Sequence, residues 1–284
     1  MQLVKLVSEV NRSSLASIKT TISEIIDIIH DPRSSVRKLT QLIELDPPLS
    51  ARILKVANSP YYASSRQIDD IKYAIIRIGY NEVKSLALSQ KVFELFDKDL
   101  DFENFTLLDL WKHSIATALL AKTIYRNEFR EGGENIYAAG LMHDVGLIVA
   151  SQFLTDEFAA VLHKRNEHRG SIIAAENEVM GYNHQTIALH LLRDWQMPDE
   201  LVEAVAHHHQ PGKVNNEFSR AASTLYVAVT LVQREQMGFC DMPVENRYLF
   251  EKHLHLLKLS QRSADMIVDQ TKREMQKMET EGWF

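Results

Sequence analysis

Apolar residues recur along this chain at three- and four-residue spacing and almost never in strict alternation, a pattern that helices can bury and strands cannot. Leu15, Ile18, Ile22, Ile25, Ile26 and Ile29 form the first stripe, which His30-Asp31-Pro32 stops. A second helix is expected from Ser35 to Leu45, ended by Asp46-Pro47-Pro48, and Leu49, Ile53, Leu54 and Ala57 stripe a third. Asn58-Ser59-Pro60-Tyr61-Tyr62 opens a polar loop reaching Gln67, and Gly79 divides the helices Asp70–Ile78 and Asn81–Phe96. The same periodicity predicts helices over Leu107–Arg126, Glu134–Phe153, Thr155–Glu167, Ser171–Met180, His184–Trp195, Pro198–His209, Phe218–Arg234, Val244–His255 and Ser260–Met278. Only 10 glycines and 7 prolines in 284 residues leave little material for tight turns. The expected fold is therefore all-α. Asp97–Asn104 (DKDLDFEN) is an acidic break, and it is the expected boundary between two helical lobes, residues 1–98 and 99–284.

Several function classes are disfavoured at this level. The net charge of −6 offers no general attraction for nucleic acid or anionic lipid. Cys240 is the only cysteine, which rules out an intrachain disulfide and thiolate-based zinc or iron–sulfur sites. Met1–Asn11 lacks the apolar core of a signal peptide. The apolar stretch Ala221–Val232, interrupted by Ser223 and Thr224, is too short to span a bilayer. A cytoplasmic protein without membrane contact is expected. There is no glycine-rich phosphate loop, nucleophile elbow or zinc-protease HExxH spacing.

The chemistry is concentrated in histidines. His143 and Asp144 stand side by side in the apolar run GLMHDVGL (140–147), where a buried imidazole and carboxylate require partners. His113 shares a helical face with Leu110, Thr117, Leu120 and Ile124, and His184 follows a good N-cap, Asn183, and faces Ile187, Ala188 and Leu191. His207-His208-His209 closes the helix begun at Pro198. Each histidine alone also suits a hydrogen-bonded core position, and the triple suits a helix C-terminus for its dipole. Taken together they are a donor set for Fe, Mn, Ni or Zn. His30, His163, His168, His190, His253 and His255 are assigned to polar faces or helix ends, without a role.

The order His113, His143-Asp144, His184, His208-His209 resembles the HD superfamily of metal-dependent phosphohydrolases. Over residues 15 to 260 the chain resembles the HDOD domain, an HD-related output domain of bacterial signalling proteins. The segments that carry this are ELDPPLSARILKVANSPYY (44–62), IDDIKYAIIRIGYNEVKSLAL (68–88), LWKHSIATALLA (110–121), GLMHDVGL and GYNHQTIALHLLRDWQMPDELVEAVAHHHQP (181–211). The resemblance implies a metal set of His113, His143, Asp144, His184, His208 and His209. Two departures bear on activity. Catalytic HD proteins complete their ligand set with an aspartate on a later helix, where this chain has Val229, and no Asp or Glu occurs between Glu217 and Glu235. Leu147 stands where the related HD-GYP phosphodiesterases carry a lysine.

Without the second carboxylate a two-metal centre is disfavoured. The expectation is a non-catalytic signal-transduction module with a degenerate metal site, acting through a protein partner in a signalling pathway or a small-molecule or nucleotide ligand. A homodimer is compatible with the sequence. The alternative is a metal-dependent phosphohydrolase acting on nucleotides or cyclic dinucleotides. Tyr61 and Tyr62 are candidate contact aromatics, with packing between the lobes as the other reading.

Overall fold

Side chains at the loop–helix junctions set where the helices begin. Ser35, Asp46, Asp70, Thr106, Ser171 and Asn183 each accept a hydrogen bond from a backbone N–H of the first turn that follows, which satisfies one of the donors a helix start leaves unpaired. The computed structural model describes residues 2–31, 33–62, 67–96, 100, 102, 104–168, 170–214, 217–241 and 246–280. Its helices, in chain order, are α1 (Gln2–Val10), α2 (Leu15–His30), α3 (Val36–Glu44), α4 (Pro47–Ala57), α5 (Ile71–Ile78), α6 (Tyr80–Phe93), α7 (Leu107–Ile124) and α8 (Glu134–Met142). The second half contributes α9 (Val145–Phe153), α10 (Thr155–His168), α11 (Ile172–Val179), α12 (His184–Asp194), α13 (Asp199–Ala206), α14 (Ser219–Arg234), α15 (Arg247–Leu256) and α16 (Gln261–Thr280). The fold is all-α. Among the described residues the only β pairing is an isolated bridge between Phe102 and Phe105.

The packing is organised around α7. Its residues from Leu110 to Ile124 are buried on nearly every side, and α8, α14 and α16 lie against it. Helices α2 to α6 pack on one another and join the rest through α2 and α6 against α8. Buried polar contacts cross that junction: Lys122 Nζ donates to Ser85 Oγ at 2.8 Å, and the Ser89 and Tyr137 hydroxyls pair at 2.7 Å. Lys91 Nζ binds Asp46 Oδ2 and Glu94 Oε2, both at 2.7 Å, tying the start of α4 to the end of α6. The expected boundary between residues 98 and 99 lies outside the described residues.

Two expectations are corrected, and one helix is added. Residues 2–10, given no secondary structure from the sequence, form a helix, α1, that packs on α9 and α12. The continuous helix expected over Glu134–Phe153 breaks at His143-Asp144. That stretch, rather than Ala221–Val232, is long and apolar enough to cross a membrane, but 89% of it is buried inside the fold. The helix from Pro198 ends at Ala206, so His207, His208 and His209 lie on a turn rather than on one helical face.

The break at His143-Asp144 has a packing cause. A Cβ on Gly146 would overlap the His184 carbonyl, and one on Gly140 would come within 2.5 Å of the Ala118 Cα. These two glycines let α9 dock on the first turn of α12, and α8 on α7, at backbone contact distance. Gly146→Ala should therefore cost about 1–3 kcal/mol through overpacking. A fall in the urea midpoint at unchanged slope would show it, and an unchanged midpoint would contradict the close-contact account.

Candidate metal centre

Four elements meet at the break between α8 and α9. His113 comes from the middle of α7, His143 and Asp144 from the break, His184 from the first turn of α12, and His208 and His209 from the turn after α13. His113, His143, Asp144, His184 and His208 are buried, and His209 is partly exposed. The structure brings together all six residues expected from the sequence. They form two trios, His113 with His143 and Asp144, and His184 with His208 and His209, and within each trio the ligand atoms lie within 4.8 Å of one another.

The Asp144 carboxylate sits between the trios. Its Oδ2 is 3.1 Å from His143 Nε2 and 3.9 Å from His113 Nε2, while its Oδ1 is 3.7 Å from both His184 Nε2 and His208 Nε2. Three of the rings are held from behind at Nδ1. His143 bonds to the Gly140 carbonyl at 2.8 Å, His208 to the Val205 carbonyl at 2.7 Å, and His184 to Glu176 Oε2 at 2.7 Å. With Nδ1 donating, a neutral ring points its Nε2 lone pair at the centre, the orientation that metal-ligating histidines take from their outer partners. The Nε2 atoms of His143, His184 and His208 are buried without a hydrogen-bond partner. An unsatisfied buried polar atom costs about 1–3 kcal/mol, so three of them 3.1 to 3.7 Å from the Asp144 carboxylate fit a cation there. The donor set suits a transition ion, and the histidines and Asp144 would hold it.

Charges in the ion-free centre follow from burial and from these neighbours. Burial and the neighbouring His143 push His113 down to about 3. Burial and the adjacent histidines hold His208 and His209 well below the ordinary value. At His184 burial works downward, but Glu176 and Asp144 outweigh it and raise the ring to about 9. Asp144 is held well below the usual carboxylate range: burial opposes ionisation, and the His143, His184 and His113 charges overcome it.

Two residues of this neighbourhood escaped the sequence reading. Glu176 is fully buried and orients His184. Asp241 is 5% exposed, accepts hydrogen bonds from Ile172 N–H and Arg165 Nε, and lines the void at the centre. Glu176 lies eight residues before His184 on a different helix, and Asp241 follows a loop, so no helical spacing signals either. His253, expected on a polar face, is buried and bonds Ser223 Oγ at 2.9 Å.

The void has about 10 Å³, the space of one water or ion, and Val229, Leu147, Phe239 and Gln233 complete its wall. A pocket of about 380 Å³ shares His209, Val229, Gln233 and Asp241 with it and adds Ser171, Tyr226, Thr230 and Asn246. No Lys or Arg lines that pocket among the described residues. A larger groove of about 950 Å³ lies away from the histidines, lined by Leu54, Tyr61, Ile68 and Lys277. There Tyr61 is 67% exposed, with Lys277 Nζ 3.3 Å from its ring centre, while Tyr62 packs partly into the core.

A pH dependence follows for chelator-treated protein. His30, His113, His208, His209 and His253 titrate below the ordinary histidine value when folded, and only His184 above it. At the five lowered histidines the unfolded chain binds more protons than the folded one below about pH 6.5, so their contribution to stability should fall on acidification from pH 7 to 5. The His184 contribution has the opposite sense: it is complete below 6.5 and is lost as pH rises through about 9. Urea unfolding across this range should show maximal stability near neutrality, and a curve rising steadily toward pH 5 would contradict these assignments.

Comparison with known proteins agrees with this architecture. The model of the HDOD domain family matches residues 15–211. A crystal structure of an HDOD domain protein of unknown function from Geobacter sulfurreducens superposes with a TM-score of 0.77 at 24% identity, covering 91% of this chain and 90% of that one. A Marinobacter aquaeolei VT8 structure, provisionally described as a signal transduction protein, gives 0.77 at 21% identity over 93% of this chain and 58% of the other. An uncharacterized protein of Treponema pallidum (strain Nichols) is 20% identical over 218 residues, 75% of this chain, which spans only 41% of that protein's length. With the family model covering more than half of its length and the helical fold in agreement, this chain belongs to the HDOD domain family.

Proposed function

We propose that the chain is a regulatory signal-transduction module whose His/Asp centre binds a divalent transition ion, and which acts by binding a small ligand or a protein partner rather than by hydrolysing phosphate esters. Residues 1–98 and 99–284 serve as two lobes of one unit. The observation that carries the reading is Val229. It is 3% exposed and lines the void together with the histidines, at the place where the HD resemblance calls for an aspartate.

When bound, an ion at His113, His143, Asp144, His184, His208 and His209 would supply Lewis acidity. The protein's own groups do little for a phosphate ester. The adjoining pocket presents hydroxyls, amides and the Asp241 carboxylate, and among the described residues no Lys or Arg lines it, so a phosphate there would lack the basic side chains that hold such a group. The same lining accommodates a small neutral ligand of hydroxyl and amide character. The Marinobacter aquaeolei protein's provisional place in signal transduction supports a regulatory role.

The alternative, a phosphohydrolase, is favoured by one observation: all six histidine and aspartate positions converge. Assays of wild type and Val229→Asp, each loaded with Mn2+ or Fe2+, against a phosphodiester and a cyclic dinucleotide separate the two. Wild type should show no turnover above the ion-only background, and Val229→Asp should gain some. Robust hydrolysis by wild type, abolished by His143→Ala, would establish the enzyme instead.

A further inference from the structure

We propose that Asp241 is the second carboxylate of this centre, delivered by the segment after α14 rather than by α14 itself, and that it acts as the outer acceptor for water hydrating the bound ion. The inference rests on the reading of the centre as a metal site. Besides the histidines and Asp144, the void is lined by Leu147, Ile172, Val229, Gln233, Phe239 and Asp241. Asp241 is the one anionic group among them, and it also faces the 380 Å³ pocket, so it stands where the ion site and the ligand space join.

Its placement is built residue by residue. Gly238 adopts φ +87° and packs so closely on α7 that a Cβ would overlap the Asp109 carbonyl and the backbone nitrogen of His113. Phe239 N–H donates to that Asp109 carbonyl at 2.8 Å. The guanidinium of Arg165 lies 5.1 Å from the Phe239 ring centre and donates to the Cys240 carbonyl at 2.6 Å. The segment that ends in Asp241 is thereby anchored to the backbone of the helix that carries His113.

The carboxylate also has capacity to spare. Among the described residues, Oδ1 accepts from Ile172 N–H and Arg165 Nε, both at 3.0 Å, and Oδ2 accepts only from Ile172 N–H, at 2.9 Å. Each carboxylate oxygen offers about two acceptor sites, which leaves one on Oδ2. Asp241 lines the void without belonging to either trio of mutually close ligand atoms. It would therefore act on the ion through water rather than as a direct ligand, as a positioning residue.

A purely structural role makes a different forecast, because Asp241 also caps the first turn of α11. Asn keeps an oxygen for the Ile172 N–H while removing the charge, so Asp241→Asn tests charge rather than capping. Mn2+ binding to chelator-treated wild type, Asp241→Asn and Arg165→Gln would be titrated by electron paramagnetic resonance, with Co2+ absorption spectra and melting temperatures alongside. Asp241→Asn should weaken Mn2+ binding roughly 10- to 100-fold and alter the Co2+ spectrum at an unchanged melting temperature. Arg165→Gln, which frees the carboxylate from its counter-charge, should bind as tightly as wild type or more so. Wild-type affinity in Asp241→Asn, or equal losses in both variants, would overturn the inference while leaving the metal site standing. Failure of wild type itself to bind either ion would overturn both.

Discussion

The structure depends on one carboxylate held among four imidazoles. Asp144 is buried, and His113, His143, His184 and His208 approach it with Nε2 atoms 3.1 to 3.9 Å away. Without a cation, this arrangement leaves ring nitrogens unpaired and puts a proton on His184 between two acids. The surrounding helices offset that cost by fixing three of the rings. The fixing bonds come from backbone carbonyls at His143 and His208 and from the buried Glu176 at His184. A site that holds its donors so firmly, with their lone pairs facing inward, is organised for an ion.

The backbone makes that geometry available. On an unbroken helix, adjacent side chains diverge by about 100°, so His143 and Asp144 would not both reach the centre. The break between α8 and α9 solves this, and Gly146 against the His184 carbonyl keeps the two helix starts together. Gly140 of α8 against Ala118 of α7 and Gly238 beside His113 do the same for the other walls. The small residues around the HD doublet thus serve helix docking as much as room for the rings.

Much of this was legible in the sequence. Apolar spacing located most helices within a few residues, and inward-facing histidines followed from their neighbours on each stripe. The His-Asp doublet was visible because charge in an apolar run is costly. What spacing could not convey was set by tertiary contact. The helix break at His143 and the early end of α13 at Ala206 depend on docking partners, not on local propensity. Glu176 and Asp241 look like ordinary surface acids until α11 and the segment after α14 fold against the centre. His253 read as polar because its partner, Ser223, lies thirty residues away on another helix.

In the function proposed for this chain, Val229 in place of an aspartate favours binding over hydrolysis, since a single carboxylate among histidines would hold an ion without completing a two-metal pair. The role of this centre depends on whether it holds an ion. Elemental mass spectrometry of untagged protein purified without added metal, with His143→Ala beside it, asks this directly. About one transition ion per chain in wild type, lost in the variant, is the result expected. No metal in either protein would contradict it and would make the histidine cluster a structural feature alone.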